Sequence, residues 1–171
     1  MTEKLVYKNK YLSISKEDNY YFYDEKETQV MILPVISKKK FLFVKQYRKP
    51  LNRETYEFPA GGCLNKGEKP IDAAVRELSE ETGINLSKNK LIQMDFVSTN
   101  PQRQRKLVYV YYANITNKDL KNKKKILGPE IKNIEIKTYN QVISLFKNNK
   151  IISSVVGFVF LNYLLKYKKK N

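Results

Sequence analysis

The sequence predicts an α+β fold, with helices packed against a mixed β-sheet and antiparallel strands at the N-terminus. Three observations carry this. β-prone runs rich in Val, Ile, Phe and Tyr lie on both sides of a single amphipathic helix near the middle, and two further helical stretches close the chain. The chain has 171 residues, enough for one full core and too few for two. The central helix, expected from Pro70 to a stop at Gly83, buries one face and concentrates charge on another. Residues 1–171 are therefore expected to form one domain, with 1–28 as N-terminal strands available for dimerisation and 29–171 as the core.

Taken in order, residues 5–7 and 11–15 are short strands, and the aromatic run 19–23 continues a meander. Tyr20, Tyr21, Phe22 and Tyr23 suit a hairpin or a dimer surface better than a base-stacking platform. Residues 30–36 and 41–47 are separated by Ser37 and three lysines and are expected to pair antiparallel near the sheet centre. Pro34 lacks an N–H, so a bulge or an unpaired position is expected there. Residues 48–53 make a polar connection and 54–58 a brief extended stretch. Pro59, Ala60, Gly61 and Gly62 follow as a sharp turn that brings carbonyl oxygens close to a ligand. Pro70 suits the first helical turn, Asp72 favours the helix N-terminus and Gly83 supplies the C-terminal stop. Strands are expected at 91–98, 107–113 and 131–138, with a polar loop at 99–106 and a solvated lysine-rich loop at 117–125. Helices at 139–148 and 151–167 end the fold. The second has about fifteen mostly apolar residues, against the roughly twenty of a membrane span, and reads as a core helix with no membrane partner. Residues 166–170 form a frayed basic tail.

Chemistry concentrates on the central helix. Ile71, Ala74, Val75 and Leu78 recur at i, i+3, i+4 and i+7 and form its apolar stripe. Glu77, Glu80 and Glu81 lie three and four residues apart and share an arc of roughly 100°. Carboxylates so crowded repel one another, and a bound divalent cation removes that repulsion. The chain has no His, which excludes Ser-His-Asp and Cys-His catalysis and His-ligated zinc. Carboxylate plus metal remains, and oxygen ligands favour a hard ion, Mg²⁺ or Mn²⁺. Cys63 is the only cysteine, so no intrachain disulfide forms and a reducing, cytoplasmic compartment is expected. The first residues lack the apolar run of a secretory signal. With 33 Lys and Arg against 17 Asp and Glu the net charge is +16, a surface that attracts phosphates. Much of the excess is Lys in an Asn- and Ile-rich chain, a bias that genome composition also produces, so nucleic acid is not the favoured partner.

Gly62, five residues, Glu68, seven residues, Arg76-Glu77-Leu78, one residue, Glu80-Glu81, one residue and Gly83-Ile84 together resemble the Nudix box at every defined position. The resemblance to Nudix hydrolases extends over most of the chain, since strands and helices flank the box in the expected order. It implies a mixed β-sheet sandwiched between helices, and Mg²⁺- or Mn²⁺-dependent cleavage of a nucleoside diphosphate linked to another moiety. It further implies that Glu77 and Glu81 ligate metal, that Glu80 is a further ligand or orients water, and that Arg76 pairs with a box glutamate such as Glu80. Glu68 would stabilise the loop-to-helix turn through Arg76, or reach a metal through water. A backbone carbonyl, at Gly61 by the box spacing, would complete the site, with Gly62, Glu68 and Gly83 as structural members of the motif.

Gln46-Tyr47-Arg48 and Glu57-Phe58-Pro59-Ala60-Gly61, ahead of the box, resemble the ADP-ribose and nucleotide-sugar pyrophosphatase branch, as does the ending of one strand and two helices. By that resemblance Arg48 and Glu57 would help hold a nucleotide-type substrate, and the N-terminal strands would form a homodimer. The expected reaction splits ADP-ribose or a nucleotide sugar into a nucleoside monophosphate and a sugar phosphate. Two departures stand out. Pro-Ala-Gly is followed by an extra glycine, Gly62, which leaves Ala60 as an alternative carbonyl ligand. The loop 98–105 carries no carboxylate where the branch commonly has one. A general base from outside the box would then come from near Glu130 or Glu135, unless these are ordinary surface charges. Arg103 and Arg105 in that loop are expected to bind a phosphate-rich substrate. Dinucleoside polyphosphates and 5′-phosphorylated RNA therefore stand as alternatives, and a nucleotide-binding regulator as a third that the intact glutamate set argues against.

Overall fold

The computed structural model describes residues 2–64, 67–122 and 130–167, and these build two sheets. The first is a meander of β1 (Lys4–Lys8), β2 (Leu12–Glu17) and β3 (Tyr20–Glu25), antiparallel throughout. Asp18 takes a left-handed φ of 52° in the two-residue turn that pairs Glu17 with Tyr20, a geometry that short acidic side chains tolerate. Tyr20 and Tyr21 stay exposed on this meander while Phe22 and Tyr23 are half-buried.

The second sheet is mixed. It contains β4 (Gln29–Ile36), β5 (Lys40–Arg48), β6 (Arg53–Glu57), β7 (Ala60–Gly62), β8 (Leu91–Val97), β9 (Val108–Ile115) and β10 (Ile131–Thr138). The strand order is β10-β5-β4-β9-β8, with β6 paired to β5 and β7 to β4. The expected antiparallel pair of β4 and β5 is short, limited to Val35 with Phe41 and Ile36 with Lys40. The long partner of β4 is β9, parallel from Val30 with Tyr109 to Ile36 with Ile115. Pro34 explains the change. The N–H of Ile32 points to the β7 side and bonds Pro59 O at 2.8 Å, so position 34 would have to donate on that same side. It cannot, and the β4–β5 ladder stops there while the parallel ladder runs past Pro34 opposite Ala113.

Helices cover both faces. α1 (Pro70–Thr82) lies on one, and α3 (Tyr139–Lys147) and α4 (Ser154–Lys166) on the other. Alternation along β4 sorts the core. Val30, Ile32 and Ile36 face Ala73, Ala74 and Leu78 of α1, whereas Met31, Leu33 and Val35 face Val142, Val156 and Phe160 of α3 and α4. Both faces are buried, so β4 reads as a continuous apolar run rather than an alternating one. Phe41 meets Phe160 and Tyr163 edge-on, with ring centroids 5.0 and 5.8 Å apart.

Thr138 and Gln141 form a capping box at the start of α3, and Ser153 caps α4, which sets its start three residues later than periodicity predicts. The stretch expected as a solvated loop from 117 begins instead with a short helix, α2 (Asn117–Lys121), because Thr116 and Asp119 cap one another reciprocally. Residues 123–125 of that stretch and 168–170 of the basic tail lie outside the described residues. No helix among the described residues is long and apolar enough to cross a membrane.

Candidate active site

β7 carries the glycines of the box along the foot of α1. Gly61 pairs with Val30 and Gly62 with Gln29, so the expected sharp turn at 59–62 is in fact a short strand, and neither glycine has a positive φ. The requirement for glycine is closeness. A Cβ on Gly61 would lie 2.2 Å from both Cδ and Oε1 of Glu77, so the Glu77 carboxylate rests directly on the bare Cα. Gly61→Ala is expected to displace that carboxylate and lower turnover about tenfold or more, with the thermal midpoint as control for folding. Wild-type rates in that variant would show that Glu77 does not need this seat.

α1 starts with Pro70 after Lys69, whose side chain provides no cap, and ends at Gly83 with a left-handed φ of 73°. Asp72 in its first turn pairs with Lys88. Ala73, Ala74 and Leu78 are its fully buried apolar residues, while Ile71 and Val75 of the expected stripe lie at the margin. Glu77 is also buried, at 9 % exposure, so the three glutamates do not form a uniformly solvated face.

Arg76 is the hub. Its Nε donates to Glu68 Oε1 at 3.1 Å, its Nη1 to Glu77 Oε1 at 2.7 Å and Glu80 Oε2 at 3.1 Å, and its Nη2 to Gly62 O at 2.6 Å. One planar guanidinium therefore ties three box carboxylates to the glycine strand, which a lysine's point charge could not do. Burial opposes the Arg76 charge, but the Glu68 and Glu77 carboxylates outweigh it and hold its pKa above the ordinary arginine range. Glu68 is held below the usual carboxylate range by Arg76, and it also accepts the Leu64 N–H at 2.7 Å. Glu68 thus closes the loop onto the helix.

Glu81 lies apart from this hub. Its Oε2 accepts the Ala60 N–H at 3.1 Å. Burial pushes its carboxyl up to about 8, the Glu77 charge adds to that, and the Ala60 N–H and the Arg48 charge oppose it. Burial raises Glu77 as well, against the pull of Arg76. Burial outweighs the neighbouring cations at both carboxylates. An oxygen-only donor set in that state fits a hard divalent ion in chemistry and sign. The side chains are not gathered around one point, since among the described residues no three Cys, Asp or Glu side chains are grouped closely enough to hold an ion. Arg76 occupies one oxygen of Glu77 and one of Glu80.

Arg48 and Glu57 pair with each other on the neighbouring strands, Nε to Oε1 at 2.8 Å and Nη2 to Oε2 at 2.7 Å. Glu57 is the main cause of the raised Arg48 pKa, and Glu81 adds a smaller pull in the same direction, which places this pair beside the helix carboxylates. Arg103 and Arg105 are positioned differently from the sequence expectation. Arg103 donates to Tyr21 O at 2.9 Å and stacks 4.6 Å from the Tyr20 ring centre. Arg105 binds Glu3 and Asp24 and lies 4.4 Å from the Phe22 ring centre. Both arginines fasten the N-terminal meander to the 99–106 loop, helped by Tyr23 N–H to Arg103 O at 2.8 Å. Their charges are spent on acids and rings that a local reading of the loop could not bring to them. Glu135 accepts from Tyr56 Oη at 2.9 Å and pairs with Lys137, and among the described residues Glu130 approaches Arg48 alone, at 3.9 Å. Sequence reasoning also missed the acceptor role of Gly62 O and the donor role of Ala60 N–H, because backbone groups leave no signature in residue type.

A family model described as NUDIX domain matches residues 25–156. The chain is 31% identical over 137 residues to an ADP-ribose pyrophosphatase of Bacillus subtilis (strain 168), covering 80% of this chain and 72% of that protein. It is likewise 31% identical over 150 residues to a methanol dehydrogenase activator of Bacillus methanolicus, covering 81% and 75% of the two chains. Among solved structures, one titled as an ADP compounds hydrolase superposes with a TM-score of 0.75 at 16% identity, over 100% of this chain and 94% of that one, a likeness of fold.

Proposed function

The chain belongs to the NUDIX family and is a pyrophosphohydrolase of that family, and we propose that it hydrolyses ADP-ribose or a closely related nucleotide sugar to a nucleoside monophosphate and a sugar phosphate. One observation carries the reading: Arg76 gathers Glu68, Glu77, Glu80 and Gly62 O on one side of α1 while Glu81 stands free of it beside Arg48 and Glu57. The likeness to an ADP-ribose pyrophosphatase over most of both chains supports the substrate class.

Nudix enzymes generally use divalent metal ions, and Mg²⁺ or Mn²⁺ is the ion proposed here. Glu77, Glu81, Glu80 and the Gly61 carbonyl would hold it. Bound there, such an ion neutralises the pyrophosphate and lowers the pKa of water. The chain's own residues supply the rest. Arg76 keeps Glu77 and Glu80 oriented at the site, and the Ala60 N–H fixes Glu81. Arg48, braced by Glu57, presents positive charge to an anionic substrate. Exposed Leu5, Val6, Tyr7 and Tyr11 on the meander support a homodimer as part of this reading, and the single cysteine supports a cytoplasmic setting.

The test incubates the protein with Mg²⁺ or Mn²⁺ and ADP-ribose, nucleotide sugars, dinucleoside polyphosphates, nucleoside triphosphates and triphosphorylated RNA, with products identified by mass. AMP and ribose 5-phosphate as the preferred products are expected. The net charge of +16 also suits longer polyanions, and a preference for RNA or dinucleoside polyphosphates would overturn the substrate assignment.

A further inference from the structure

α4 is apolar on both of its sides. Val155, Val156, Val159, Phe160 and Tyr163 are buried in the core shared with α3 and the sheet. Phe158, Leu161 and Leu165 face outward instead, at 48%, 54% and 61% exposure. At about 100° per residue these three share an arc of roughly 60°, so they form one stripe along the outside of the helix. The stripe continues onto β8, the edge strand of the mixed sheet. Phe96 of β8 shares a cleft of about 320 Å³ with Phe158, and a neighbouring cleft joins Phe96 to Lys106 and Leu107. Phe96 and Leu107 are exposed as well. Single exposed apolar side chains are ordinary, but five along one surface mark a face that something covers.

Charge selects the occupant. Residues 136–171 contain seven lysines and no Asp or Glu. Lys166 closes α4, exposed and paired with Asp95 at 3.1 Å, and Lys168, Lys169 and Lys170 follow it in sequence. A second copy would bring another chain of net charge +16 to the same face, and like charges repel. An anionic lipid surface suits both features, since acyl chains receive the Phe and Leu side chains while headgroups attract the lysines. With 13 residues α4 is too short to cross a bilayer. Lying in the interface requires only one outward apolar face and nearby basic charge, and the folded domain already covers the other face. We propose that the outer face of α4 docks on anionic phospholipid through Phe158, Leu161 and Leu165, with Lys168, Lys169 and Lys170 drawn to the headgroups. Docking there is independent of which nucleotide is cleaved, so it goes beyond the reaction proposed above.

The test sediments the full chain with vesicles of phosphatidylcholine alone and of phosphatidylcholine mixed with phosphatidylglycerol. Wild type is compared with Leu161→Gln/Leu165→Gln, which keeps the charge, and with Lys168→Gln/Lys169→Gln/Lys170→Gln, which keeps the stripe. The substituted leucines are exposed, so thermal midpoints are expected to hold. Wild type is expected to partition at least about tenfold more strongly onto the mixed vesicles than onto phosphatidylcholine alone. Each variant is expected to lose about tenfold or more on the mixed vesicles. Wild type that stays in solution with both vesicles overturns the proposal. A leucine variant that binds like wild type also overturns it, because the net charge alone would then account for binding. A lysine variant that binds like wild type does the same for the electrostatic half. A particle mass in lipid-free solution that halves in the leucine variant would assign the face to a second copy and overturn the lipid assignment.

Discussion

Arg76→Ala is expected to lower turnover at least about 10²-fold and to destabilise the fold by about 3 kcal/mol. The guanidinium side chain is only 20% exposed and bonds four acceptors, three of them carboxylates. Removing it leaves Glu68 and Glu77, at 17% and 12% side-chain exposure, without the cation that offsets their burial. Glu80 is 40% exposed and contributes less, because solvent screens its charge. Gly62 O loses its donor as well, so β7 loses a tie to α1. Arg76→Lys restores charge without the fork and should recover part of the stability but little of the activity, since three donors on one nitrogen cannot span Glu68, Glu77, Glu80 and Gly62 O as the three guanidinium nitrogens do. Urea unfolding at neutral pH, with the slope checked for constancy, measures the first effect, and steady-state turnover the second. An alanine variant as stable as wild type would show that the carboxylates do not depend on this hub.

Glu81→Gln is expected to reduce turnover by about 10³-fold while leaving the thermal midpoint unchanged or higher. The amide oxygen of glutamine can still accept the Ala60 N–H that Glu81 Oε2 accepts at 3.1 Å. What disappears is a group whose ionisation burial disfavours and the Glu77 carboxylate opposes, pushing it up to about 8. The fold therefore loses nothing it depends on, whereas a cation would lose a charged ligand. Lower stability together with lower activity would mean that Glu81 acts as a structural group. Full activity would falsify its placement at the reacting centre.

Spacing alone made the helix chemistry legible. Glu77, Glu80 and Glu81 stand at helical intervals, so their common side of α1 follows from 3.6 residues per turn, and the pairing of Arg76 with Glu80 follows from the same geometry. The helix start at Pro70 and its stop at Gly83 were visible for the same reason, being local. The sheet was less legible. Residues 30–36 and 41–47 are neighbours in sequence, and a local rule makes them a hairpin. Their long-range partners, β9 and β10, are chosen by burial on both faces and by the missing N–H of Pro34. Arg103 and Arg105 show the same limit. Their partners Tyr21, Asp24 and Glu3 lie about eighty to a hundred residues away in sequence, and no periodicity reports that separation. Gly61 and Gly62 look like turn residues by type, but the close approach of Glu77 to one of them is a tertiary fact.

The carboxylate side of α1, seated on Gly61 and ordered by Arg76, is proposed to cleave a nucleoside diphosphate with the help of a divalent ion. The most direct test follows ADP-ribose by mass spectrometry with wild-type protein stripped by a chelator, before and after Mg²⁺ or Mn²⁺ is restored. AMP and ribose 5-phosphate are predicted to appear only with the ion present. Products at full rate in chelator, or intact ADP-ribose after the ion is restored, would contradict the account.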